Sequence, residues 1–172
     1  MNKTLSALGL AMSFATVALA QTPPTAPATP PAPAARGPAL DLALEAAQAA
    51  LDTCKARDQK AAVSVVDSAG VLKALLASDG ASPRGVLSSN NKAVTALTFK
   101  AATSQLAERI KTDKSLADRI AATSTFNARS GGVLLVVGDE IIGAIGVGGA
   151  RGSDVDEACA LAGVRKIQDR LK

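Results

Sequence analysis

The densest apolar stretch of the chain, Gly131 to Gly149, falls into two runs around a polar break. Val133 to Val137 is rich in β-branched residues, Gly138-Asp139-Glu140 interrupts it, and Ile141 to Val147 resumes it. That pattern predicts a β-hairpin. Neither run alternates with polar residues, so both faces are expected to be covered, one by helices and the other by a partner subunit. The hairpin is therefore expected in the middle of a sheet. Ala61 to Asp67 and Val71 to Ala77, joined by Ser68-Ala69-Gly70, predict a second hairpin.

Helical spacing accounts for most of the rest. Leu40, Leu44, Ala47, Leu51 and Cys54 recur three and four apart and predict an amphipathic helix over Asp41 to Arg57, with Asp41 placed to cap it. Arg84 to about Lys100 reads as a helix with Val86 or Leu87, Val94, Leu97 and Thr98 on one side; the run Ser88 to Lys92 is poor helix material. Thr103 or Ser104 is a natural cap for a helix over Gln105 to Lys111, and Ser115 to Ala122 adds a short one. Ser153 or Asp154 caps the last helix, whose inward positions are read as Val155, Ala158, Ala162 and Ile167. The order helix, hairpin, helices, hairpin, helix predicts an α+β single domain, an antiparallel sheet built from two hairpins with helices packed on it. First and last helices lying side by side bring Cys54 near Cys159.

The first forty residues read differently. Met1 to Ala20 has a secretory signal pattern: Lys3, an apolar run from Leu5 to Leu19, and a small-x-small site at Ala18-Leu19-Ala20. Cleavage is expected after Ala20. The run is too short and too weakly flanked to make a stable membrane insertion. Seven of the eight prolines lie in Gln21 to Pro38, a spacer that cannot bury a core. The folded domain is expected over residues 39–172. An exported chain meets an oxidising compartment, so Cys54 and Cys159 form either a disulfide or two buried thiols.

Composition narrows the chemistry. The net charge of +4 is spread along the chain, and there is no Trp or Tyr on which to stack bases, so no nucleic-acid partner is expected. There is no His, which removes the commonest general base and metal ligand and the usual Ser-His-Asp and Cys-His catalysis. No catalytic residue set is assigned.

Four groups remain as candidates. Gly146 to Gly152 is a Gly-rich loop before a helix, able to cradle a phosphate or to serve as a plain turn. Asp154, Asp156 and Glu157 gather carboxylates at a helix start, where they also oppose the helix dipole. Thr103 and Ser104 offer hydroxyls as caps or toward a ligand. Lys92 with Arg84 and Arg129 would hold the carboxylates of an anionic ligand around a pocket, or stand as solvated surface charge.

The segments LDLALEAAQAAL, VSVVDSAGVLKALLASDGASPRG, NKAVTALTFKAATSQLAERI and GGVLLVVGDEIIGAIGVGGARGSDVDEACALAG together resemble the haem-binding GlcG/HbpS family, in register from about Leu40 to Ile167. The resemblance implies a profilin-like fold, assembly into homo-oligomers, and binding of haem or a related tetrapyrrole. Members with a signal peptide work outside the cytoplasm, some as haem stores or as sensors with a partner in the envelope. A threonine in the segment matching Lys100 to Leu106 is linked to haem in the haem-binding members. Thr103 matches it and is the implied iron ligand, with Lys92 and Ser104 as further cofactor-binding residues. The absence of His departs from the histidine iron sites of some relatives. The expectation is a periplasmic or secreted protein that sequesters, carries or senses haem. The alternatives are a binder of another anion, such as a corrinoid or organic acid, and a haem-assisted redox enzyme.

Overall fold

The computed structural model describes residues 34–172; the predicted signal peptide and cleavage site, and most of the proline-rich segment, lie outside them. Among the described residues, five helices and four strands follow in the order α1 (Leu40–Lys55), β1 (Ala62–Asp67), β2 (Leu72–Ala77), α2 (Pro83–Phe99), α3 (Thr103–Arg109), α4 (Lys114–Ala121), β3 (Gly132–Val137), β4 (Glu140–Gly148) and α5 (Ser153–Ile167), with a 3-10 turn at Gln168–Arg170. This is the α+β arrangement expected from the two hairpins. The sheet is antiparallel throughout, with strand order β2-β1-β4-β3.

That order corrects one expectation. The hairpin of Gly131 to Gly149 does not sit in the middle as a unit: β4 is central, paired to β1 and β3, while β3 forms an edge. Both faces of β4 are covered, and by the chain's own helices rather than by a partner subunit. α1 and α5 pack on one face and α2 on the other. α2 comes so close that a Cβ on Gly146 would collide with the backbone of Ser89 and Ala93. Glycine in β4 marks this approach of another backbone.

The α1/α5 layer is built from small residues. Ala43, Ala46, Ala47 and Ala50 are buried, as are Cys159, Ala160 and Gly163 opposite them. A Cβ on Gly163 would stand 2.5 Å from Ala46 O, so only glycine lets the two helices meet there. Cys54 and Cys159 are joined by a disulfide, Cα to Cα 5.6 Å. The predicted stripes shift accordingly. Leu40 and Leu44 are exposed on α1 while the alanines face inward, and on α5 the buried positions are Asp156, Cys159, Ala160, Gly163 and Ile167, not Ala158 and Ala162. Burial here follows the shortest helix–helix distance rather than side-chain size.

Local signals set the ends. Ser82 Oγ accepts a hydrogen bond from Gly85 N at 3.0 Å, and Pro83 opens α2. Lys100, in the left-handed region at φ 51°, closes it. Asp113 caps α4 through Leu116 N at 2.9 Å. Asp67 Oδ1 accepts from Ala69 N and Val71 N, both 2.9 Å, and folds the first hairpin turn. The remaining cap expectations fail. α1, α3 and α5 have Ala39, Ala102 and Gly152 at their N-caps, with no side-chain cap, and Asp41, Thr103, Ser104, Ser153 and Asp154 lie inside the helices. Arg36 of the predicted spacer is tied to the domain: Arg36 N donates to Ser68 Oγ at 2.9 Å, Ser68 N donates to Arg36 O at 2.8 Å, and Arg36 pairs with Glu140.

Candidate functional site

α2 carries a polar face along its length. Ser89, Lys92 and Thr95 are buried toward the sheet, and Leu87 is 61% exposed. The expected apolar side of this helix is thus only partly the buried one. Polar partners make that burial possible. Ser89 Oγ and Ser64 Oγ are 2.8 Å apart, and Thr95 Oγ1 accepts from Asn127 N at 2.8 Å. Asn127 Nδ2 also donates to Ser88 Oγ at 3.0 Å. The Asn127 bonds hold the segment before β3 against α2.

Between that segment, α2, the loop after β4 and the start of α5 lies a cleft of about 550 Å³. This falls within the roughly 300–1,000 Å³ range of small-molecule sites. Its lining brings together Arg84, Lys92 and Arg129, the cation group expected around an anionic ligand. Gly149 and Ala150 of the Gly-rich loop form one wall, and Asp156 lies beside Lys92. Leu87 and Phe126 supply the larger apolar surfaces.

Lys92 and Asp156 form a buried ion pair, with side chains 2% and 5% exposed and Nζ to Oδ2 2.6 Å. Lys92 Nζ also donates to Val147 O at 3.0 Å, and Asp156 Oδ1 accepts from Ala150 N at 3.0 Å. The pair therefore ties α2, the end of β4, the loop after it and α5 together under the cleft. Gly131, at φ +123°, passes so close that a Cβ there would lie 2.8 Å from Asp156 Cβ and 2.9 Å from Lys92 Nζ. Burial pulls the Lys92 ammonium below its usual range and pushes the Asp156 carboxyl above its own; in each case the partner's hydrogen bond and charge work the other way.

The hydroxyl pair lies elsewhere. Thr103 is fully buried; its Oγ1 accepts from Gly132 N at 2.8 Å, and it does not line the cleft. Within the domain this oxygen fixes the start of β3. Ser104 Oγ donates to Glu157 Oε1 at 2.7 Å, leaving Glu157 Oε2 buried without a hydrogen-bond partner, and Ser104 is likewise outside the cleft. Asp154 stays on the exposed side of α5. The sequence reading missed Asn127, Asn91 and Ser88 as lining residues. Ser88 and Asn91 had one signal, the Ser-Asn run Ser88 to Asn91, whose low helix propensity marked a helix with other work to do; Asn127 had none. Among the described residues no group of His, Cys, Asp and Glu could hold a metal ion, and no helix is long and apolar enough to cross a membrane.

Fold and cleft together define an α+β domain with a cation-lined cleft between a helix, a glycine loop and a second helix start. Residues 39–165 match the family described as haem degrading protein HbpS-like, and the chain belongs to that family. A solved double mutant of Streptomyces reticuli HbpS is 30% identical, covering 84% of this chain and 97% of its own, with a TM-score of 0.71. Klebsiella pneumoniae protein ORFY superposes with a TM-score of 0.73 at 21% identity, covering 84% of this chain and 99% of its own. PduOC, solved as a complex with heme, superposes with a TM-score of 0.71 at 19% identity, over 79% of this chain and 97% of its own. The last two likenesses show the fold. No curated protein matches by sequence.

Proposed function

We propose that this is an exported haem-binding protein that sequesters, carries or senses its ligand. The observation that carries the reading is the cleft in which Arg84, Lys92 and Arg129 converge. Guanidinium groups suit the propionate carboxylates of a tetrapyrrole, and Leu87 and Phe126 offer the ring its apolar contact. Family membership and the heme complex of a fold neighbour support the same ligand class.

The donor set fits the carboxylate edge of haem better than its iron. The chain has no His and no Tyr, and both cysteines are in the disulfide. When bound, haem would supply the iron and its redox chemistry; Arg84 and Arg129 would hold and orient it through its carboxylates. Export is supported by the Cys54–Cys159 disulfide, which suits an oxidising compartment. Self-association is supported by edge strand β2, where Leu72 and Leu75, with Val71 just before it, are exposed.

A haemin titration followed by Soret absorption tests the reading. A saturable shift at micromolar haemin, weakened roughly tenfold by Arg84→Gln or Arg129→Gln, is expected, since a charge-assisted hydrogen bond contributes about 1.5–3 kcal/mol. Thr103→Ala, which does not touch the cleft, should leave the affinity unchanged. Absence of a saturable shift would overturn the reading. A second reading, a smaller organic acid, is favoured by the hydroxyl and amide lining from Ser82, Ser88, Asn91 and Asn127.

A further inference from the structure

Lys92 is the buried cation of the cleft, yet its ammonium already faces a carboxylate. It gives one proton to Asp156 Oδ2 and one to Val147 O, and no acceptor among the described residues takes the third. The other charged groups acting on the pair are Arg129, on the cleft wall, and Glu157, next along α5 and held by Ser104 of α3. A ligand anion reaching Lys92 therefore meets a site that is already neutralised.

We propose that Asp156 is a resident competitor of the ligand: an anionic group entering the cleft takes over the Lys92 ammonium, and Asp156 gives it up by accepting one proton from solvent. The inference rests on the anionic-ligand reading of the cleft and adds to it that uptake is proton-linked. Before entry the pair is neutral overall. After entry, two anions would share one buried cation, an arrangement that burial penalises heavily. Protonating Asp156 removes the surplus charge, and burial already favours its neutral form. The Ala150 amide is not lost in the exchange. Asp156 Oδ1 still accepts from Ala150 N while the proton sits on Oδ2, so the Gly149–Ala150 wall keeps its position. One proton is taken up for each anion bound, and affinity rises as pH falls, by up to about tenfold per pH unit.

The test is calorimetric titration of the purified protein with citrate and with haemin, near pH 6 and near pH 8, each in two buffers of different ionisation enthalpy. After subtraction of the proton that citrate itself exchanges, since its third carboxyl titrates between these two pH values, uptake of about one proton per ligand by the protein is expected, with tighter binding at the lower pH. Asp156→Asn keeps an acceptor for Ala150 N and removes the competing charge. Near pH 6 it should bind citrate more tightly than the natural protein and take up no proton. The proton count of the natural protein stands by itself if that variant fails to fold. Binding without proton uptake, weaker binding by a folded Asp156→Asn, or binding of neither probe would overturn the inference. Proton-linked citrate binding without haemin binding would remove the tetrapyrrole reading and leave the competitor role in place.

Discussion

The two faces of the sheet are made from different chemistry. Toward α1 and α5 the buried residues are alanines, valines, leucines, isoleucines and a disulfide, with Gly163 allowing helix–helix contact. Toward α2 the core is small, Val66, Ala93, Ala96 and Ala144, and polar groups fill the rest: Ser64 with Ser89, Thr95 with Asn127 N, Lys92 with Asp156. One face holds the fold by apolar burial and covalent closure. The other costs desolvation at every polar group and recovers it through hydrogen bonds between them. The cleft opens on the second. Polar groups at the floor of a site fix where charge may go, which an apolar layer cannot do.

The largest effect that would break this contrast is expected at Lys92. Lys92→Ala leaves Asp156 buried and unpaired and should cost about 3–5 kcal/mol in urea unfolding, with loss of haemin binding in whatever remains folded. If Lys92→Ala is nearly neutral, the polar face is not held together by its pair. On the opposite face, Cys54→Ala with Cys159→Ala removes a bridge between residues 105 apart. This should cost about 2–5 kcal/mol by thermal unfolding while leaving ligand affinity unchanged. A loss of affinity there would show that the faces are not separable. Thr103→Val should cost about 1–3 kcal/mol, because Gly132 N loses its acceptor, again without effect on haemin affinity.

The smallest effect is in the pH dependence of stability. Asp156 has its folded pKa raised above the ordinary 3.8, so its contribution is fully present below that value and is lost as pH rises through the raised one. Lys92, lowered from 10.5, contributes stability above that value and loses it as pH falls through the lowered one. Urea midpoints measured across pH for the natural protein and for Asp156→Asn should diverge in that sense. Parallel curves would show that the carboxyl ionises as if exposed.

The same contrast explains what the sequence disclosed. The strands were legible because β-branched runs and turn residues act locally. The helix faces were legible only in part: Ala47, Leu51, Cys54 and Ile167 are buried as expected, but a hydrophobic stripe ranks residues by size and α1 buries alanine in preference to Leu40 and Leu44. Periodicity also gives Ser89, Lys92 and Thr95 no credit for burial. Their partners lie 25 or more residues away, at Ser64, Asp156 and Asn127. Arg84, Lys92 and Arg129 could be grouped in advance because their charge needs no partner to be noticed. Thr103 was misread in the opposite way: a hydroxyl near a helix start looks like a cap, and only the fold shows that its donor is Gly132 N.

The Cys54–Cys159 link also changes what kind of object the domain is. Every residue lining the cleft, from Ser82 to Asp156, lies between the two cysteines. Covalently, the functional part is a closed loop from which two helical ends project. A protease that cuts that loop once adds a water molecule and releases nothing. On a gel without reductant the nicked protein would still run as a single species, and only reduction would separate the pieces.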